Sequence, residues 1–135
     1  MTIEQIKATI QNKDALNFAN SQSLRSVFFI SDGTAITSET LGRSILSQFP
    51  SVPFETRVIP YVDTLDRADE AVNQINLAHQ RDGVKPLVFD TIVDPVIRER
   101  INGADAFNLD IYEGLISKIA DEIKVQPAPH TGHAH

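Results

Sequence analysis

Residues 27–34 read Val27-Phe28-Phe29-Ile30-Ser31-Asp32-Gly33-Thr34, and the fold is decided in this stretch. Four consecutive apolar residues, all β-branched or aromatic, describe a strand buried on both faces, as strands of parallel sheets are. Ser31, Asp32, Gly33 and Thr34 then break the run with turn chemistry. Beyond them Ile36, Leu41, Ile45, Leu46 and Phe49 recur mostly on one helical face, and Pro50 ends the helix. Strand, polar turn and amphipathic helix in succession make the first half of a βαβ unit.

Working outward, the same grammar repeats. Residues 54–62 form a second strand candidate, with Pro60 near its end, where a missing ladder donor is tolerated. Thr64 is placed to cap a helix whose Ala68, Ala71, Val72, Ile75 and Ala78 form an i, i+3, i+4, i+7 stripe, and Gly83 is its natural stop. Pro86-Leu87-Val88-Phe89 is a third buried run, closed by Asp90. Asp94-Pro95 reads as the N-cap and first residue of a short helix ending near Gly103. Residues 107–111 suit a fourth strand, and a last helix carries Leu115, Ile116, Ile119, Ala120 and Ile123 on one face. The expected architecture is α/β: an open, mostly parallel sheet of about four strands flanked by helices, a Rossmann-like three-layer sandwich.

The ends of the chain read differently. Thr2-Ile3-Glu4-Gln5 matches a capping box and Ile3, Ile6 and Ile10 follow at helical spacing, so residues 1–25 are expected to be an N-terminal helical extension and linker. Residues 26–125 are the α/β domain. Residues 126–135 are a tail, in which His130, His133 and His135 lie among Pro and Gly with no carboxylate nearby and read as solvated rather than metal-binding.

Composition narrows the function classes. At 135 residues and 41% hydrophobic, the chain can bury a core without staples. It has no cysteine, which excludes disulfides, thiolate nucleophiles and cysteine-held metal clusters. A net charge of −6 argues against broad nucleic-acid binding, which needs a basic face. The longest apolar run is the four residues 27–30, whereas a membrane span needs about 20. No secretory signal is read at the N-terminus, and a cytoplasmic protein is expected.

In open parallel sheets, ligands bind beyond the carboxyl ends of the strands. There Gly33 lets a ligand approach the backbone, and Ser31, Thr34 and Thr37 offer hydroxyls beside a helix N-terminus, whose dipole favours an anion. Asp32 opposes an anion unless a cation intervenes, and the same residues also suit a plain turn and cap. Asp90, closing the third strand, can hold a metal, accept a proton or bond a hydroxyl. It can equally cap the Ile92 or Val93 N–H or pair with Arg98 or Arg100. Arg98-Glu99-Arg100 reads as a solvated face and His79 as exposed. The chain has no G-x-x-x-x-G-K-[ST], no G-x-G-x-x-G and no G-x-S-x-G, so no catalytic residue and no metal ligand is assigned.

Residues 27–49, VFFISDGTAITSETLGRSILSQF, resemble the N-terminal part of the bacterial phosphoenolpyruvate synthase regulatory family, bifunctional serine/threonine kinases and pyrophosphorylases. Residues 83–92, GVKPLVFDTI, and 123–129, IKVQPAP, agree. Ala35 resembles this branch rather than its relatives acting on pyruvate, phosphate dikinase, where glycine is usual. The resemblance implies ADP-dependent phosphorylation of a threonine on phosphoenolpyruvate synthase, and phosphate-dependent removal of that phosphate with release of pyrophosphate. ADP, phosphate and Mg²⁺ are implied for the full-length family member, with none expected to stay on this fragment, and a homodimer is left open. The family's nucleotide-binding P-loop falls in a second domain beyond residue 135, so the 135 residues alone are expected to be inactive. Two alternatives stand beside this: a target-docking or dimerisation module, and a stand-alone anion-binding α/β domain.

Overall fold

The computed structural model describes residues 2–3 and 25–128. Over residues 25–123 strands and helices alternate: β1 (Arg25–Ile30), α1 (Ile36–Leu46), β2 (Phe54–Ile59), α2 (Leu65–Asp82), β3 (Leu87–Asp90), α3 (Pro95–Asn102), β4 (Phe107–Leu109) and α4 (Ile111–Ile123). The strands form one sheet in the order β2-β1-β3-β4, and every pairing is parallel. Phe28 lies opposite Arg57 on one side and Val88 on the other, and Leu87 lies opposite Phe107. This is the expected open α/β sandwich.

The apolar run that suggested a two-sided strand is buried on both faces. On one face Phe28, Ile30 and Val88 pack against Ala68, Ala71 and Ile75 of α2 and Ile97 and Ile101 of α3. On the other, Val27, Phe29 and Phe89 meet Leu46 of α1, with the Phe29 and Phe89 rings stacked at 5.8 Å. The expected caps are in place. Thr64 Oγ1 accepts from the Arg67 N–H at 3.1 Å, Asp94 Oδ1 accepts from the Val96 N–H at 2.8 Å, and Gly83 takes the left-handed conformation at φ 73°.

Three sequence expectations need correction. α1 does not bury the stripe of Ile36, Ile45 and Phe49, which are exposed; it buries Ser38, Gly42 and Leu46. The reason is the ring of Phe29, which occupies the space under the helix: a Cβ on Gly42 would lie 2.2 Å from Phe29 Cε1. Small residues let the helix come close, so the apolar ones were displaced to its outer side. Both terminal strands are shorter than expected, because Pro60 interrupts β2 and Asp110 leaves β4 to cap α4. Finally, α4 touches β3 but turns Leu115, Ile119 and Ile123 outward. The N-terminal helix beyond residue 3 and the three tail histidines lie outside the described residues. Among the described residues no helix is long and apolar enough to cross a membrane.

Candidate functional site

The chain leaves β1 for the outer strand β2 on one side and leaves β3 for β4 on the other, while β1 and β3 are themselves neighbours. Their carboxyl ends therefore flank a topological switch point, where two successive loops diverge and open a crevice. Ser31, Asp32, Gly33 and Thr34 form one wall, with Thr37 in the first turn of α1 behind them. Asp90 and Thr91 begin the other. Sequence-predicted residues from loops some sixty positions apart thus belong to one place.

Each wall is fixed by its backbone. The Ser31 hydroxyl accepts from the Gly33 N–H at 3.0 Å, and the Gly33 carbonyl accepts from the Tyr61 N–H at 2.8 Å. The Val62 N–H donates to the Ser31 carbonyl at 2.8 Å, tying the first loop to the end of β2. Thr34 Oγ1 accepts from the Ile36 N–H at 3.4 Å, a long contact, and Ala35, the α1 N-cap, has φ 69°. Ser38 Oγ donates to the Phe89 carbonyl at 2.7 Å, joining α1 to β3.

Asp32 joins the two walls. Its Oδ2 accepts from the Val93 N–H at 2.9 Å across the crevice. Of the N–H groups the sequence offered to Asp90, Ile92 is the one it takes, at 3.3 Å through Oδ1, while Val93 goes to Asp32. Asp90 Oδ2 and Thr91 Oγ1 are buried without a hydrogen-bond partner. Burial, and next the negative charge of Asp110, push the Asp90 carboxyl up to about 7; the Ile92 N–H and Arg98 act in the opposite direction. A carboxyl in that range can both hold and release a proton near neutrality.

Arg98 departs from its expected place on a solvated face. Its side chain is only 19% exposed, with Nε 3.2 Å from Asp110 Oδ2 and Nη1 3.5 Å from Glu113 Oε2. Arg98 Nη1 also donates to the Val93 carbonyl at 3.4 Å, so it braces the Asp90 loop against the start of α4. Arg100 does point away, to Asp69, and His79 is partly covered, 3.8 Å from Asp105. Asp110 is the group sequence reasoning missed. Burial pushes its carboxyl up, against the Glu113 N–H and Arg98. It directly follows β4 as Asp90 closes β3, a position hidden in the sequence because the strand expected over residues 107–111 enclosed it.

The crevice is acidic: Asp110 and Glu113 pair with Arg98, and Asp90 lies within the electrostatic reach of Asp110, Asp32 and the same Arg98. Such a wall suits a hydroxyl or a proton better than an unaccompanied phosphate. Among the described residues no group of three or more His, Asp or Glu side chains is placed to hold a metal ion.

The comparisons with known proteins converge. The kinase/pyrophosphorylase family model matches residues 27–135, which include every residue of both walls. A protein of Psychrobacter cryohalolentis named as a phosphoenolpyruvate synthase regulatory protein is 68% identical over 121 residues, covering 90% of this chain and 43% of that protein. Similarly named proteins of Acinetobacter baumannii and Acinetobacter baylyi are each 54% identical, over 116 and 111 residues, with 42% and 40% of their own lengths covered. The chain therefore spans less than half the length of these relatives. With a family match over most of its length, and with relatives of one name at this identity, the chain belongs to the kinase/pyrophosphorylase family.

Proposed function

We propose that this chain is the N-terminal α/β part of a bifunctional enzyme acting on phosphoenolpyruvate synthase, an ADP-dependent serine/threonine kinase and phosphate-dependent pyrophosphorylase. In this reading the switch-point crevice receives the target threonine. The supporting observation is the convergence of Asp32 and Asp90 from loops far apart in sequence, locked by the Asp32–Val93 bond and leaving a buried Asp90 oxygen without a partner.

The division of labour follows from charge. The crevice is lined by carboxylates, so the phosphates of ADP are held elsewhere in the longer protein, where backbone donors and a lysine would cradle them. In the kinase direction the threonine oxygen attacks the terminal phosphorus of ADP. The bond to the bridging oxygen breaks, AMP leaves, and a carboxylate of the crevice takes the hydroxyl proton. In the reverse regulation an oxygen of inorganic phosphate attacks the phosphothreonine phosphorus. The bond to the threonine oxygen breaks, a carboxyl returns a proton to that oxygen, and pyrophosphate is released. A group with a pKa near neutrality suits both directions, which favours Asp90 for the proton and Asp32 for holding the loop over it.

The test combines binding and turnover. Calorimetry with ADP and with phosphate on the 135-residue chain is expected to give no measurable heat for wild type or Asp32→Ala. Transfer of labelled phosphate from ADP to phosphoenolpyruvate synthase is expected only with the full-length protein. In the full-length protein Asp90→Asn is expected to lower turnover about 100-fold or more. Unchanged turnover in Asp90→Asn would remove the crevice from the chemistry.

A further inference from the structure

Away from the crevice, β2 is an outer strand, bonded to β1 on one side and, among the described residues, to no strand on the other. The Ile59 carbonyl accepts from the Ser31 N–H, so at Ile59 the backbone polar groups point inward. These groups alternate along a strand. Glu55 and Arg57 therefore direct theirs toward β1, and Phe54, Thr56 and Val58 direct theirs at the open edge. Pro53 and Pro60 close the segment at either end. An open edge of this kind is a template for another strand.

The side chains decide which strand fits. Consider a two-fold axis passing through the sheet beside Thr56, setting the strand antiparallel to its own copy. Thr56 then faces the partner's Thr56, and Phe54 faces the partner's Val58, all three positions with outward-pointing N–H and C=O groups. Between them Glu55 faces the partner's Arg57, and Arg57 faces the partner's Glu55. Those are the non-hydrogen-bonded positions, where opposed side chains come closest, with Cα atoms about 4.5 Å apart. The next registers allowed by the axis set Glu55 against the partner's Glu55, or Arg57 against the partner's Arg57, and are repelled. Only one register is self-complementary in charge.

The surroundings agree. Arg57 has no ion-pair partner among the described residues, and Glu55, 3.6 Å from Arg81, keeps 42% of its side chain exposed. Val58 is exposed on one face of the strand. On the other, exposed Leu77 of α2 shares with Glu55 and Arg57 a groove of about 360 Å³. We propose that two copies of this chain associate edge to edge through β2, two-fold about Thr56, joining their four-stranded sheets into one of eight strands. The proposal is independent of the switch-point reading, since β2 contributes no side chain to that crevice.

Sedimentation or light scattering of the 135-residue chain is expected to give a mass near twice 14.9 kDa. Arg57→Glu places like charges at both outer pairs and is expected to weaken association at least tenfold. The double exchange of Glu55→Arg with Arg57→Glu is expected to restore it. A chain monomeric up to about 1 mM, where a contact of about 4 kcal/mol already shows, leaves the edge to another protein and overturns the proposal. So does a dimer indifferent to Arg57→Glu, or a folded double exchange that stays monomeric. Should the exchange not fold, Thr56→Cys decides. The chain has no other cysteine, and facing positions about 5.5 Å apart lie within disulfide range. A disulfide-linked dimer on oxidation is expected, and its absence overturns the proposal.

Discussion

Asp90 keeps 1% of its surface exposed, and its carboxyl, with an ordinary value near 3.9 in an unfolded chain, is pushed up to about 7 by burial and by Asp110. Between about pH 4 and pH 7 the folded chain therefore holds a proton that the unfolded chain has released. Stability contributed by this group falls as pH rises through that window and is level above it, a span on the order of 4 kcal/mol at most. Asp90→Asn is expected to flatten the dependence, read as urea midpoints at pH 4.5, 6 and 8; parallel curves for variant and wild type would show that Asp90 titrates normally. Asp32→Ala deprives the Val93 N–H of its acceptor and is expected to cost about 1–2 kcal/mol in the same measurement. Asp90 was readable as a strand-end carboxylate with Ile92 or Val93 as its backbone donor, because all lie in one short loop, and the structure selects Ile92. The Asp32–Val93 bond was not, because it spans 61 positions and exists only once β1 and β3 are neighbours. Arg98 was misread for a similar reason: its partners Asp110 and Glu113 come from the next strand–helix junction.

Caps and stops were legible at the scale of elements, since Thr64, Gly83 and Asp94 act within four residues of what they satisfy. Helix faces were less so. The outward turn of Ile36, Ile45 and Phe49 follows from a ring on β1 that no periodicity within α1 reveals. Gly42→Ala tests that account. Its Cβ would need Phe29, fully buried, to move, and a loss of about 1–3 kcal/mol by chemical denaturation is expected, although alanine is the better helix former. A gain in stability would mean that the ring is free to shift. The apolar stripe of α4 makes the opposite case: Leu115→Ser and Ile119→Ser are expected to change stability by less than about 1 kcal/mol, whereas Ile75→Ala in α2 is expected to cost about 2–5 kcal/mol.

For the molecule as a whole, the alternation of strands and helices was enough to specify three layers and parallel pairing, because a short helical crossover permits little else. Strand order was not specified: β2 and β3 both follow β1 through helices, and only packing places them on opposite sides of it. That order has a consequence for the chain as it is made. Among the described strands β1 is the first to be synthesised and one of the two innermost, and sixty residues separate Phe28 from its neighbour Val88. At elongation rates of about 5–20 residues per second the ribosome needs about 3–12 s to cover that distance. Throughout, the most apolar run in the protein has at most β2 beside it. Ribosome-bound chains arrested with β3 still in the exit tunnel are expected to be cut by protease near β1, and chains arrested after α3 has emerged to resist. The same central position that buries residues 27–30 so completely in the finished fold leaves them, during translation, waiting longest for the neighbour that covers their second edge.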